Sequence, residues 1–337
     1  MNSQNLTGAS LPSQYSAWSW QHGDGVQALA LTMKTPVAPG AHEVWIRNEV
    51  IGLNPVDWKV LGDAELGWQP GHVPGVDGAG TVVAVGEQVA AAWLGQRVVY
   101  HQNLLADGSF AEYTRVAAHT LMRVPAGLDM ATAASFPCPA LTAWQALNKI
   151  PCPAQSYVLI SGAGGAVGHY LTQLAVRRGL HVFALCHPRH WDRLAQLGAE
   201  HFIAFVSDDS FAAAGQIFDA VIDAVSEEHA ASLVPSLRAN GHLVCIQGRL
   251  SQWPNSPFGR SLSMHEVALG ALHQFGDEQA WHQLTRAGEQ LLDDLDSGEL
   301  IAERLVIGDF AGLPMLLDEL KHRTFSGKPL IRLFQRG

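Results

Sequence analysis

Charge is scarce in this chain. Only 15% of its 337 residues are Asp, Glu, Lys or Arg, against 47% hydrophobic. That balance excludes disorder for all but a polar opening segment, residues 1–13. Cysteine is scarcer still. There are four, Cys138, Cys152, Cys186 and Cys245, and none forms a C-x-x-C pair. So few in so long a chain exclude a disulfide framework and point to a cytoplasmic protein. No apolar run approaches the roughly 18–20 residues that a membrane-spanning helix needs, so no membrane partner is expected. No Lys or Arg precedes Lys34, so the charged start of a signal peptide is missing. Basic charge is the sparser sign, 21 residues against 31 acidic, for a net charge of −10. A nucleic-acid partner, which calls for a basic face, is not expected. The 16 histidines are dispersed and read mostly as surface or satisfied core residues.

What is present is long enough for two domains. The middle of the chain repeats one theme. Apolar runs at 157–160, 181–185, 201–205, 218–224, 242–246 and 267–272 alternate with segments of helical spacing. This is the βαβ rhythm of a parallel sheet covered on both faces, and six such strands suit a doubly wound Rossmann fold. The first 130 or so residues differ. Strand-like pieces at 42–50, 80–85, 97–100 and 111–116 are short and broken by Gly and Pro. They read as a barrel-like, mostly antiparallel β domain. A long helical stretch, 278–296, and the tail GKPLIRLF follow the parallel sheet and suit a return to that first domain.

The chemistry begins at VLISGAGGAVGHYL, residues 158–171. A strand meets small residues and then a helix. Ala163-x-Gly165-x-x-Gly168 stands in the places of G-x-G-x-x-G, the turn that lets backbone N–H groups reach a pyrophosphate at a helix N-terminus. Gly162, Ala163, Gly165, Ala166 and Val167 are therefore candidate cofactor contacts, and Gly168 lets the helix pack close. An NAD site would place Asp or Glu at the end of the second strand for the ribose hydroxyl. No acidic residue occurs between Gly162 and Trp191, and the strand ends in Cys186-His187-Pro188-Arg189-His190. His187, Arg189 and His190 attract a 2′-phosphate, so the expected cofactor is NADP(H).

Six stretches, taken together, carry a family resemblance: EVIGLNPVDWKV (49–60), VPGVDGAGTVVAVG (73–86), FPCPALTAWQAL (136–147), GAGGAVG (162–168), QLGAEH (196–201) and FSGKPLIRL (325–333). The chain resembles the medium-chain dehydrogenase/reductase superfamily. That resemblance implies a GroES-like catalytic domain at 1–133 plus 274–337 and a Rossmann NADP(H) domain at 134–273. Zinc alcohol dehydrogenases of the superfamily hold their metal with Cys, His and Cys. Here Asn54 and Val76 stand in the first two places and only Cys138 in the third, and valine offers no lone pair. No metal is expected. A substitute set of His72, Asp77 and Cys138 is the weaker reading, and Cys138 reads instead as a small buried thiol. Residues 86–116 lack the cysteines of the structural zinc lobe.

Without zinc nothing acidifies an alcohol, but hydride transfer to an electrophile stays open. The chain is accordingly similar to the zinc-independent quinone oxidoreductase branch, zeta-crystallin-like and enone reductases included. The resemblance implies a small-molecule partner, a quinone or enone, and a homodimer paired through the sixth strand. It implies catalytic roles for Asn54 and Lys59, with Lys59 as carbonyl polariser or proton donor and Asp57 as a loop-holding residue. It implies cofactor contacts at Thr142, Gln247, Gly248 and Lys328. Members that use NADPH often carry a phosphate-contacting tyrosine where this chain has Phe205. Two rival readings are an NADPH-binding sensor without turnover and a zinc-dependent alcohol dehydrogenase.

Overall fold

The computed structural model describes residues 11–204 and 217–333. The chain divides into two compact units, Met1–Cys138 with Gly270–Gly337, and Pro139–Leu269.

The first unit opens with an antiparallel hairpin of β1 (Tyr15–Trp20) and β2 (Leu29–Lys34). Then come β3 (Glu43–Gly52), α1 (Pro55–Lys59), β4 (Asp77–Val85), β5 (Arg97–His101), β6 (Tyr113–Ala117), β7 (Met122–Arg123) and α2 (Met130–Ser135). Strands β3, β4, β5 and β7 pair antiparallel in that order, and β6 lies on β3. Val44, Ile46, Val82, Val98, Tyr100 and Val116 fill the space they enclose. Helix α3 (Pro137–Asn148) begins where this unit's first segment ends.

The second unit runs β8 (Tyr157–Ser161), α4 (Ala166–Arg177), β9 (His181–Cys186), α5 (Trp191–Gln196), β10 (His201–Ala204), β11 (Phe218–Asp223), α6 (Glu227–Leu233), β12 (Leu237–Cys245) and β13 (Ser263–Glu266). The six strands are parallel, in the order β10-β9-β8-β11-β12-β13. Val158, Leu159, Ile160, Val221 and Ile222 are buried in succession. That is why these strands read as unbroken apolar runs: both sheet faces are covered. Two expectations move. Phe205 lies outside the described residues. The sixth strand is Ser263–Glu266, not 267–272, where the chain turns through a 3-10 turn, Leu269–Ala271, into α7 (Leu272–Phe275). A short apolar run does not by itself distinguish strand from helix. The apolar edge that suggested self-pairing is thus not the edge strand.

The chain then returns to the first unit through α8 (Glu278–Ser297), β14 (Leu305–Asp309), α9 (Leu313–His322) and β15 (Lys328–Arg332). Helix α8 starts at Asp277, whose carboxylate accepts from the Ala280 N–H at 2.8 Å, and stops at Gly298 in the left-handed region. Strand β15 pairs antiparallel with the end of β3, Leu330 opposite Gly52. This pairing brings Lys328, 274 residues further along the chain, to the loop that carries Asn54. No described helix is long and apolar enough to cross a membrane.

Candidate active site

In the first unit, the loop after β3 is shaped by Asp57. Its Oδ2 accepts from the Asn54 N–H at 2.7 Å and its Oδ1 from the Val76 N–H at 3.1 Å, so one carboxylate ties the start of α1 to the residue before β4. Burial pushes Asp57 up to about 7; Asp77 adds to the rise, while the two N–H donors and Lys328 oppose it. The folded chain therefore keeps a proton that the unfolded chain releases near the ordinary carboxyl value of 3.8. Stability from this group is present in acid and is lost as pH rises through that window, by at most about 1.4 kcal/mol per unit. Asp57→Asn should flatten the fall in urea midpoint between pH 4 and 7 relative to the parent. Parallel profiles for the two proteins would refute this.

Asp77 is the hub of the cluster. It is the first residue of β4 and lies directly opposite His101, the last of β5, so the antiparallel register brings the two side chains together. Asp77 Oδ1 faces His101 Nδ1 at 2.9 Å. Asp77 Oδ2 accepts from Asn54 Nδ2 at 2.8 Å and from the Cys138 N–H at 3.0 Å, with Lys328 Nζ 3.7 Å away. Lys328 Nζ donates to Asn54 Oδ1 at 2.5 Å. Asp77 is fully buried and Lys328 is 2% exposed. Buried charge of this density is costly unless matched, and here it is matched.

The expected residues therefore part company. Asn54 and Lys328 are brought together, and both are spent on Asp77. Lys59 is exposed, its Nζ 5.8 Å from the centre of the Trp58 ring, and burial together with Arg323 lowers its pKa. His72 is not beside Asp77. It stacks on Trp68 with its Nδ1 3.7 Å from Asp107. Val76 is buried and Cys138 only half-buried.

In the second unit the turn between β8 and α4 is built for close approach. Gly162 has φ +71°, and a Cβ on Gly168 would lie 2.5 Å from the Ala163 Cα. Gly165 caps α4 with its backbone and is exposed, and no side chain caps that helix. The N-terminal N–H groups, those of Ala166 and Val167 among them, suit an anion. Arg193 braces the turn, donating to the Gly164 carbonyl at 2.7 Å.

At the end of β9, His187 and Arg189 are exposed, and Arg189 Nε donates to His190 Nε2 at 3.1 Å. Burial, with Arg193, Arg189 and His187 adding, pushes His190 down to about 4. Thr142 is buried in α3, while Gln247 and Gly248 follow β12. Paired strand ends hold a cluster that sequence reasoning missed. Ser161 and Asp223 are register partners, and His229 Nδ1 lies 3.0 Å from Ser161 Oγ and 2.6 Å from Asp223 Oδ1.

The alcohol dehydrogenase GroES-like domain model matches residues 40–126. A chloroplast envelope quinone oxidoreductase homolog of Arabidopsis thaliana is 30% identical over 240 residues, which are 67% of this chain and 72% of that protein. The chain belongs to the medium-chain dehydrogenase/reductase superfamily, in its quinone oxidoreductase branch. A 2-methylene-furan-3-one reductase of Solanum lycopersicum is 32% identical over 260 residues, 74% of this chain and 66% of that one. Among solved structures, an alcohol dehydrogenase superfamily protein from Novosphingobium aromaticivorans superimposes with a TM-score of 0.81 at 26% identity, covering 95% of this chain and all of that one.

Membership in this superfamily raises the question of zinc. Asp77, His101 and Cys138 do bring one ligand atom each within 4.8 Å of one another. The donor set nevertheless does not fit the metal. Each Asp77 oxygen already accepts hydrogen bonds, and a divalent cation there would face the buried ammonium of Lys328 at close range. The Asp77–His101 pair was hidden because it depends on strand register. A polar D in GVDGAG and an H ending RVVYH were the only signals.

Proposed function

We propose that this chain is an NADPH-dependent, zinc-free reductase of quinones or α,β-unsaturated carbonyls. The observation that carries this reading is the environment of Asp77. A lysine, an asparagine and a histidine surround its carboxylate, in a family whose alcohol dehydrogenases use zinc to acidify their substrate. A substrate that is already electrophilic needs no such help. Bound NADPH would supply the hydride. The negative charge that then builds on the substrate oxygen calls for hydrogen-bond donors, and Lys59, whose side-chain nitrogen lies outside the Asn54–Lys328 pairing, is the candidate. The quinone and furanone reductases among the relatives support the substrate class.

The test is a substrate panel after exhaustive chelation. NADPH oxidation with 1,2-naphthoquinone or a cyclic enone should persist, elemental analysis should find no stoichiometric zinc, and secondary alcohols with NADP⁺ should be inert. Loss of activity to the chelator, with one zinc per chain beforehand, would overturn the reading in favour of an alcohol dehydrogenase. No turnover with any electrophile would favour an NADPH-binding sensor.

The choice of NADPH over NADH rests on exposed Arg189 beside neutral His190, with no carboxylate between Gly162 and Trp191. One charge-assisted contact is worth roughly 1.5–3 kcal/mol, or about one to two decades of affinity. Arg189→Glu should erase or invert the preference in kcat/KM. A preference unchanged in that variant would remove Arg189 from the phosphate site.

A further inference from the structure

We propose that His101 is the proton donor of the reaction, delivering its Nε2 proton to the α-carbon of an enone substrate; this rests on the reductase reading above. The cluster around Asp77 contains one ring nitrogen that is not spent. Asn54 uses its amide on Lys328 and Asp77, Lys328 is buried against both, and Cys138 contributes its backbone N–H. His101 turns only Nδ1 toward Asp77. Its Nε2 makes no hydrogen bond among the described residues. The His101 side chain is 7% exposed, whereas His72 and His273 each bury an Nε2 without a partner. A carboxylate on one nitrogen fixes the ring plane and aims the other outward. The His273 ring stacks beside it at 6.0 Å, and burial together with His101 and His119 holds His273 down at about 3, so it adds no competing charge.

The step balances without a further reagent. When bound, NADPH would supply the hydride for the C–H bond at the β-carbon, and the alkene pair would move onto the substrate as an enolate. Nδ1–H is held by Asp77, so the donor is the doubly protonated ring: its Nε2–H bond would break as that proton forms the C–H bond at the α-carbon, leaving the neutral ring with Nδ1–H still on Asp77. The ring then takes a proton from water. A quinone needs no such donor, because its protons end on oxygen, where water supplies them. The two substrate classes should therefore respond differently to loss of His101.

The experiment uses 2-methylcyclohex-2-enone, whose product has a stereocentre at the α-carbon. Parent enzyme should give one enantiomer in excess when the product is sampled promptly. His101→Asn keeps an N–H toward Asp77 and deletes Nε2. It should lower kcat for the enone about 100-fold, give racemic product, leave the NADPH dissociation constant within about twofold, and leave 1,2-naphthoquinone reduction within about threefold. His101→Gln, with an amide that donates no proton, should do the same; should His101→Asn fail to bind NADPH, the Gln variant decides. Racemic product from the parent, or unchanged rate and enantiomeric excess in the variants, would overturn the proposal while leaving quinone reduction, and so the reductase reading, intact. Loss of the excess in Lys59→Met but not in the His101 variants would assign the proton to Lys59 instead. A parent that reduces neither class would defeat the reductase reading itself.

Discussion

Lys328→Met should cost about 3–5 kcal/mol of stability. Among the described residues, Lys328 and His101 are the ion-pair partners within 4 Å of Asp77, and both members of the Lys328–Asp77 pair are buried. Methionine matches the stem of the side chain but removes the ammonium. Asp77 would keep its neutral donors and lose the fixed charge that offsets its desolvation. Asn54 Oδ1 would lose its donor as well. Most of this loss is the penalty of a stranded carboxylate, not the intrinsic worth of the ion pair. The double variant Lys328→Met with Asp77→Asn should therefore recover at least half of it. Urea unfolding followed by tryptophan fluorescence suits the measurement, because Trp18, Trp20, Trp45, Trp58, Trp68, Trp93 and Trp281 all lie in the first unit. A single-variant cost below about 1 kcal/mol, with no coupling in the cycle, would show that the pair carries no such role.

What the sequence made legible follows the range of the interaction. The doubly wound sheet was readable because its signals are local. Apolar runs mark strands buried on both faces, and a small-residue turn links the first of them to its helix. The candidate nucleotide contacts were readable for the same reason, since Gly162 to Val167 and His187 to His190 are each continuous segments. The cluster around Asp77 was not. Its hydrogen bonds join residues 23, 24 and 61 positions apart, and the Lys328–Asn54 bond spans 274. Motif comparison marks Asn54 and Lys328 as important but aims them at substrate and cofactor. The folded chain spends their polar atoms on Asp77, which the sequence offered only as one member of a weak substitute metal set. Composition errs in a similar way at the sixth strand, where hydrophobicity outweighed the polar SMHE that in fact pairs with β12.

Gly168→Ala and Gly165→Ala should separate fold from binding within one turn. A Cβ on Gly168 would meet the Cα, carbonyl oxygen and carbonyl carbon of Ala163 at 2.5–2.6 Å. None of these is the far end of a flexible side chain, so α4 would have to move away from the turn. Overpacking of this kind costs about 1–3 kcal/mol and sometimes more, and the displaced helix would carry its N–H groups away from the phosphate. Gly165 is different. Its φ of −85° suits any residue, it is exposed, and a Cβ there would meet only the Gly162 carbonyl oxygen, at 3.4 Å. Gly165→Ala should change stability by no more than about 0.5 kcal/mol. On the proposed cofactor site it should still weaken NADPH binding by about tenfold or more, because the added methyl would stand where a pyrophosphate would approach the backbone. Thermal denaturation and fluorescence titration with NADPH read the two effects independently. Full NADPH affinity in Gly165→Ala would mean that the turn does not cradle the phosphates. A Gly168→Ala protein of unaltered stability would mean that the packing of α4 on Ala163 is looser than these contacts require.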